Sequence, residues 1–337
     1  MSKDPLVPNL NGRSVLQAAM TFLLAAILLA LSPAMADETR KTFKVGAVNP
    51  GTSVPRFTQA ETEALQALGY SQGDNLTFIE RWAGGSEAQL ERDAAELVEL
   101  KVDAIIAGSS AGARAAAAAT KTIPIVAIDL ESDPVASGWV ATVPKPGGNI
   151  TGCFLDLPEL TGKRLEQLRQ VVPRLARIAV LWDTSLNRTP LAATAISAKA
   201  LGLRTTTLEV RRASDLDHAF TTAVKRRAQA VLIWGGPLFD ANAPRIAELA
   251  IHHRLPIAGF FPFHPESGFL LSYGPDVEDM TRRCMAYVDR ILRGEKPADL
   301  PVQFPEKLHL VLNQRTADLL GIKFPEALVL QAQRIIK

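Results

Sequence analysis

Short apolar runs alternate along the chain with longer segments whose apolar residues recur at helical spacing. The runs 43–48 and 102–107 are rich in β-branched residues, which is typical of strands buried on both faces of a parallel sheet. Between them, the segment 86–100 places apolar residues such as Leu90 and Leu97 on one helical face. This alternation predicts an α/β protein built on parallel sheets.

The same pattern predicts elements over most of the chain. Strands are expected at 43–48, 76–81, 102–107, 123–128, 177–182, 204–210, 230–234, 256–260, 269–273 and 308–312. Helices are expected at 56–68, 86–100, 160–171, 190–201, 214–227, 243–253, 277–292 and 314–320, with an alanine-rich helix after Ser109-Ser110. The stretch 123–152 reads as the last strand of one α/β half leaving for a second, similar half.

Polar, small and aromatic residues follow the predicted strands at their carboxyl ends. Ligands bind at this edge of open α/β sheets, so these residues are the candidate ligand contacts. In the first half the candidates are Asn49, Thr52, Ser53, Ser109, Ser110, Asp129 and Glu131. In the second half they are Trp182, Asp183, Arg188, Gly236, Pro237, Phe260, Phe261 and Tyr273.

Three kinds of recognition are suggested by these candidates. The helix start at Ser109-Ser110 favours a carboxylate, because first-turn N–H groups and the helix dipole attract anions; the same serines could simply cap the helix. Asp129 or Glu131 would match a ligand amine, or each could be a solvated loop carboxylate. The aromatic candidates could enclose an aromatic or aliphatic group, or serve only as core packing.

The amino terminus predicts export. Lys3 and Arg13 precede an apolar segment over 15–31, and Ala34-Met35-Ala36 then offers a small-x-small cleavage site before Asp37. The alternative is a membrane anchor, since the segment nearly reaches the length of a spanning helix. The cleavage site favours a signal peptide at 1–36 and an exported mature protein, and the absence of cysteine just after the site argues against a lipid anchor.

Composition excludes several classes of protein. The hydrophobic fraction of 47% and charged fraction of 21% suit a globular chain with two cores, and the net charge of +2 from scattered residues predicts no nucleic-acid surface. Cys153 and Cys284 lack metal-ligand spacing and read as buried free thiols, although an oxidising compartment would permit a disulfide. We expect no metal site and no cofactor.

The run DPVASGWVATVPKPGGNITG at 133–152 carries a resemblance to a known family. Matching motifs lie on both sides of it, at Glu80-Arg81-Trp82-Ala83, Leu271-Ser272-Tyr273-Gly274, Tyr287-Val288-Asp289-Arg290 and Lys296-Pro297-Ala298-Asp299. Together they cover essentially the whole mature chain. The sequence resembles the bacterial ABC-transporter substrate-binding proteins whose characterised members include tryptophan and tyrosine binders.

The resemblance implies a type I periplasmic-binding-protein fold, with two doubly wound parallel-sheet lobes and a three-stranded hinge. The expected division is residues 37–152 plus 269–300 in the first lobe and 153–268 plus 301–337 in the second. The chain would cross between the lobes near 152–157, 267–271 and 299–305. The expected partners are a small-molecule ligand and the permease and ATPase subunits at the inner membrane, and the protein is expected to be a monomer.

Capture of an amino acid or an aromatic or aliphatic carboxylate is the function that fits best. An exported enzyme is a rival, but the five histidines form no metal pair and no general base can be assigned to Ser109 or Ser110, so no catalytic residue is expected. A ligand-sensing partner of a chemoreceptor is a second rival. A repressor is disfavoured because the chain shows no helix-turn-helix.

Overall fold

The computed structural model describes residues 41–337 apart from Val54, Glu131, Asp156, Ser185 and Asn187, and apart from the side chains of Leu157, Pro158 and Val277. The predicted signal peptide and the candidate contact Glu131 therefore lie outside the described residues. No helix in the described part of the chain is long and apolar enough to cross a membrane.

The first five strands are β1 (Phe43–Asn49), β2 (Leu76–Trp82), β3 (Ala104–Gly108), β4 (Ile125–Asp129) and β5 (Ile150–Phe154). They form a parallel sheet in the order β2-β1-β3-β4-β5. Its central side chains are fully buried because helices cover both faces. These helices are α1 (Pro55–Ala67), α2 (Glu87–Glu99), α3 (Ser109–Ala119) and α9 (Val277–Leu292). We call this assembly the first lobe.

Local sequence signals account for several boundaries in the first lobe. Ser86 begins α2 as predicted, because its Oγ accepts a hydrogen bond from the Gln89 N–H at 3.2 Å. Asp276 begins α9 in the same way, through the Asp279 N–H at 3.0 Å. Gly152 in β5 has a φ of +143° and lies against the Ala127 backbone, so a side chain there would overlap the Ala127 carbonyl oxygen.

The remaining strands are β6 (Arg177–Asp183), β7 (Arg204–Val210), β8 (Ala230–Ile233), β9 (Ile257–Gly259), β10 (Leu271–Pro275), β11 (Leu308–Asn313) and β12 (Arg334–Ile336). They form a sheet in the order β12-β11-β10-β9-β8-β6-β7, in which β10 and β11 pair antiparallel and the other printed pairs are parallel. The covering helices are α4 (Leu157–Val171), α5 (Thr189–Ala200), α6 (Leu216–Lys225), α7 (Pro237–Ala241), α8 (Ala243–His252), α10 (Gln314–Leu320) and α11 (Glu326–Gln331). We call this assembly the second lobe.

The placement of β10 corrects one prediction. The strand expected at 269–273 does not return the chain to the first lobe, because β10 pairs with β9 and β11 in the second sheet. The chain crosses one element later, at Asp276, and α9 then packs on the first sheet. A third connection follows Gln303, which still pairs with β5 through the Phe154 N–H at 2.9 Å.

Other details differ less from the prediction. The short elements β5, α7, α11 and β12 were not predicted. Asp133-Pro134 forms a hydrogen-bonded turn, with Asp133 Oδ1 accepting from the Val135 and Ala136 N–H groups. The two cysteines are free and buried, which confirms the predicted thiols.

Each sheet has a topological switch point, where successive connections leave toward opposite edges of the sheet. The order β2-β1-β3 means that the chain turns to opposite sides of the sheet after β1 and after β3. The order β8-β6-β7 repeats this arrangement in the second lobe. Ligands bind in the crevice outside the carboxyl ends of strands at such points, so the ends of β1, β3, β6 and β8 are where a site is expected.

Candidate functional site

A partly open cavity of about 140 Å³ lies where these strand ends face each other. From the first lobe it is lined by residues at the carboxyl ends of β1, β2, β3 and β4 and by the inner faces of α1 and α9. From the second lobe it is lined by residues after β6, β8 and β9. An apolar cavity of roughly 150 Å³ admits a benzene ring, so this space suits a single ring system.

Aromatic rings form most of the cavity wall. They come from both lobes and are Phe57, Trp82, Trp234, Phe260 and Phe261. The Phe57 and Phe261 rings meet edge to face across the cleft with centroids 5.8 Å apart, and Trp234 lies 5.4 Å from Phe260. Rings in such arrangements offer flat apolar faces to a planar ligand.

The second-lobe wall is supported from behind by Arg164. Its guanidinium carbon lies 4.0 Å from the Trp234 ring centroid, and its Nη1 donates to the Ile233 carbonyl at 3.0 Å. The side chain is fully buried, and burial lowers the pKa of Arg164 to about 9. A cation held this close to the ring restricts the position of Trp234.

Glu61 on α1 is an acid in the cavity wall. The residue is only 7% exposed, and it makes no hydrogen bond or ion pair with the described residues. Burial raises the pKa of Glu61 to about 8, and the nearby charge of Glu80 adds to the rise.

Asp240 on α7 is a second acid in the wall, and it is already held by a partner. His264 Nδ1 accepts the N–H groups of Phe260 and Phe261, so the other ring nitrogen carries the proton and donates to Asp240 Oδ1 at 2.9 Å. Burial raises the pKa of Asp240, and the hydrogen bond from His264 opposes this effect.

No lysine, arginine or histidine is among the residues that line the cavity in the described part of the chain. The described residues also contain no group of three or more His, Cys, Asp or Glu side chains that could hold a metal ion. The cavity therefore combines apolar walls with a local excess of carboxylates.

The two lobes touch around the cavity. Gly51 after β1 lies so close to Pro237 of α7 that a Cβ at Gly51 would overlap Pro237 Cβ and Cγ. At the other side, Arg56 Nη2 lies 3.2 Å from Glu266 Oε2, and the Phe57 ring lies 6.3 Å from the Phe263 ring. These contacts enclose the space between the strand ends.

Six of the sequence-predicted contacts lie in the cavity wall. They are Asn49, Ser109, Gly236, Pro237, Phe260 and Phe261. Ser109 has a left-handed backbone, with φ of +63°, at the first residue of α3. Its Oγ accepts from the Ala111 N–H at 3.3 Å, and the residue before it, Gly108, brings no side-chain cap.

The other described candidates lie elsewhere. Thr52, Ser53 and Arg188 are exposed, and Arg188 pairs with Glu209 at 3.4 Å. Ser110, Asp129, Trp182 and Asp183 are buried behind the wall, and Asp129 Oδ2 accepts from the Trp139 indole at 3.2 Å. Tyr273 lines surface grooves beside α4. The structure gives these residues no contact with the cavity.

The sequence analysis missed wall residues of two kinds. Trp82 and Trp234 directly end or follow strands, so the strand-end rule that selected the other candidates could have found them. Phe57, Glu61, Met280 and Thr281 sit within helices, where nothing in the sequence separates a wall position from a core position.

The family model described as ABC transporter substrate binding protein matches residues 51–336. The chain belongs to this family. The resemblance noted from the sequence is therefore confirmed. Substrate-binding proteins of ABC transporters are not an enzyme family.

Three known proteins are similar to this chain. The tyrosine-binding protein of Clostridioides difficile strain R20291 is 25% identical over 275 residues, which are 80% of this chain and 78% of that protein. A conserved domain protein from Vibrio cholerae is 25% identical with a TM-score of 0.79, over 88% of this chain and 100% of that one. A Streptococcus pneumonia ABC domain in complex with L-Trp gives the same TM-score and coverages at 23% identity.

The predicted fold class is also confirmed. The two parallel-dominated sheets with their repeated strand order are those of the type I periplasmic-binding-protein fold. In this family of substrate-binding proteins, the cavity at the two switch points is the candidate ligand site.

Proposed function

We propose that the protein is the periplasmic solute-binding component of an ABC importer and captures an aromatic amino acid between its lobes. The observation that carries this proposal is the cavity with aromatic walls from both lobes at both switch points. The tyrosine-binding relative and the L-Trp complex support a ligand of this class.

The cross-lobe contacts support a closing mechanism. A solute that touches Phe57 and Trp82 on one lobe and Trp234 and Phe261 on the other stabilises the arrangement in which the lobes meet. Closure about the three connections between the lobes gives the permease a surface that differs from the ligand-free one. The predicted signal peptide at 1–36 delivers the chain to the periplasm, where it acts as a monomer with the permease and ATPase subunits.

The first turn of α3 is the proposed site for the ligand carboxylate. The first N–H groups of an α-helix have no acceptor within the helix, and the helix dipole favours an anion. Ser109 and Gly108 of this helix start line the cavity together with Asn49. An anion can therefore be bound there without a lysine or arginine.

The proposal predicts aromatic amino acids as ligands of the mature protein. We expect L-tryptophan or L-tyrosine to raise the melting temperature in a thermal-shift screen of amino acids and small carboxylates. Bound ligand adds RT ln(1 + [L]/Kd) to the free energy of unfolding, about 2.7 kcal/mol at a hundredfold excess over Kd. A melting temperature that no aromatic amino acid moves at millimolar concentration would contradict the proposal.

Two phenylalanines offer a matched pair of variants for that screen. Phe57→Ala removes a ring from the wall and is expected to weaken binding about tenfold, roughly 1.4 kcal/mol. Phe304→Ala removes an exposed ring outside the cavity and should leave affinity unchanged. Calorimetric titration of both proteins measures the difference.

A further inference from the structure

Glu61 is a buried acid for which the fold provides no partner. It lies at the end of the second turn of α1, 7% exposed, facing the cavity beside Met280 and Thr281 of α9. It makes no hydrogen bond or ion pair with the described residues, whereas Glu80 nearby accepts the Thr58 hydroxyl at 2.8 Å. Buried carboxylates in proteins are normally paired, so an unpaired one facing a ligand cavity requires a reason.

Among the described residues, no cation acts on the charge of Glu61. Glu80 on β2 is an acid, and its charge acts on Glu61. The charge of Glu61 acts on the buried thiol of Cys284 on α9, which also interacts with the Cys153 thiol of β5. Across the cavity, Asp240 is already bonded to His264. All of these groups are neutral or acidic, so the field at Glu61 favours a cationic ligand group.

The walls beside Glu61 suit the same chemistry. Aromatic faces attract ammonium groups through the ring quadrupole, and a desolvated carboxylate forms a strong charge-assisted hydrogen bond with them. Phe57 and Trp82 lie on the same side of the cavity as Glu61. An ammonium next to an apolar body therefore finds both a carboxylate and ring faces within the first lobe.

We propose that Glu61 binds the ammonium group of the solute, so that this protein takes aromatic amines and amino acids and rejects aromatic acids without an amine. This inference rests on the proposed function and assigns a specificity-determining residue within it. Asp240 is part of the cavity wall and not the ammonium site, because one of its carboxylate oxygens already accepts a hydrogen bond from His264.

A linkage between binding and protons follows. In the free protein Glu61 has a raised pKa of about 8, so it is mostly protonated at pH 7. A bound ammonium requires the carboxylate form and lowers its pKa, so binding at pH 7 releases about 0.9 proton per ligand. Affinity should therefore rise about tenfold per pH unit up to about pH 8 and become level above it. A ligand that accepted a hydrogen bond from protonated Glu61 would give the opposite slope.

The test uses two matched sets of probes on the full mature protein. The indole set is L-tryptophan, tryptamine and indole-3-propionate, and the phenol set is L-tyrosine, tyramine and 3-(4-hydroxyphenyl)propionate. Titration calorimetry at pH 6, 7 and 8, in buffers with different ionisation heats, measures affinity and protons released. We expect the amine-bearing members of the recognised set to bind at least 100-fold more tightly than its acid, with affinity rising with pH.

Variants on one helix complete the test. Glu61→Gln keeps the side-chain shape but cannot ionise, and it should lose at least 30-fold in affinity, the proton release and the pH dependence. Glu63→Gln is the control, because Glu63 is exposed on the same helix and bonds only to Gln59. It should behave as the wild type.

The outcomes separate the two proposals. If none of the six probes binds the wild type, the proposed aromatic ligand class is wrong and the role of Glu61 is wrong with it. If a probe binds but Glu61→Gln keeps wild-type affinity and pH dependence, only the assignment of Glu61 is overturned. The assignment of Glu61 is also overturned if the wild-type affinity falls with rising pH, or if an acid binds as tightly as its matched amine. Both results are measured on the wild type, so they hold even if Glu61→Gln fails to fold.

Discussion

Replacing Gly51 by alanine is expected to weaken solute binding by at least about 100-fold, roughly 2.8 kcal/mol, without unfolding either lobe. A Cβ at Gly51 would overlap Pro237 Cβ and Cγ, and a proline ring on α7 cannot rotate away. The overlap exists only while the lobes are in contact, so the variant should favour the separated lobes. Calorimetric titration with the aromatic amino acid found in the screen measures the affinity.

Gly148 provides the control for this substitution. It also lies in a first-lobe loop, but a Cβ there would meet nothing within 4 Å. Gly148→Ala should therefore bind as the wild type does. Small-angle scattering adds a second measurement: the radius of gyration of wild type and Gly148→Ala should fall with ligand, and that of Gly51→Ala should not. A Gly51→Ala protein that binds and contracts normally would show that this contact is not part of the closed state.

Replacing Trp234 by alanine is expected to lower the free energy of unfolding by about 3–5 kcal/mol, because a large buried ring is lost. Trp234 is 3% exposed and packs on Phe260, and its indole donates to Thr194 Oγ at 3.1 Å. The variant would also leave the guanidinium of Arg164 facing an empty space. Urea unfolding followed by circular dichroism measures the change.

Trp234→Phe separates the ring from its hydrogen bond. This variant keeps an aromatic face in the wall and loses the bond to Thr194, so it should lose only about 1 kcal/mol of stability. It should also keep most of the ligand affinity that Trp234→Ala loses. If the free energy of unfolding of Trp234→Ala is within 1 kcal/mol of the wild-type value, the Trp234 ring does not support the wall as its burial indicates.

Conflicting requirements meet at the cavity wall. A lobe shaped only for stability would not bury a carboxylate without a partner, as at Glu61. It would also not bury a guanidinium that makes a single hydrogen bond, as at Arg164. Both groups lie at the ligand cavity or directly behind it. Their cost in stability is the kind that binding sites carry, because the groups are arranged for a ligand and not for the fold alone.

The sequence by itself determined the order of elements and the sheet edge at which the cavity lies. Strands buried on both faces and helices with one apolar face differ in period, so β7, α9 and α10 could be predicted at or near their observed bounds. The strand-end rule likewise placed Asn49 and Ser109 in what became the cavity wall.

Only the tertiary structure decided which sheet a strand joins and which helix faces meet the ligand. The sequence of β10 predicts a buried strand in either lobe, because apolar residues indicate burial but not which strands lie beside them. Phe57 and Glu61 occupy ordinary positions on an amphipathic helix, and they become cavity residues because α1 faces the second lobe. The short elements α7 and β12 span too few residues for a period to show. In each case the deciding contact joins residues that are distant along the chain, and local pattern carries no information about it.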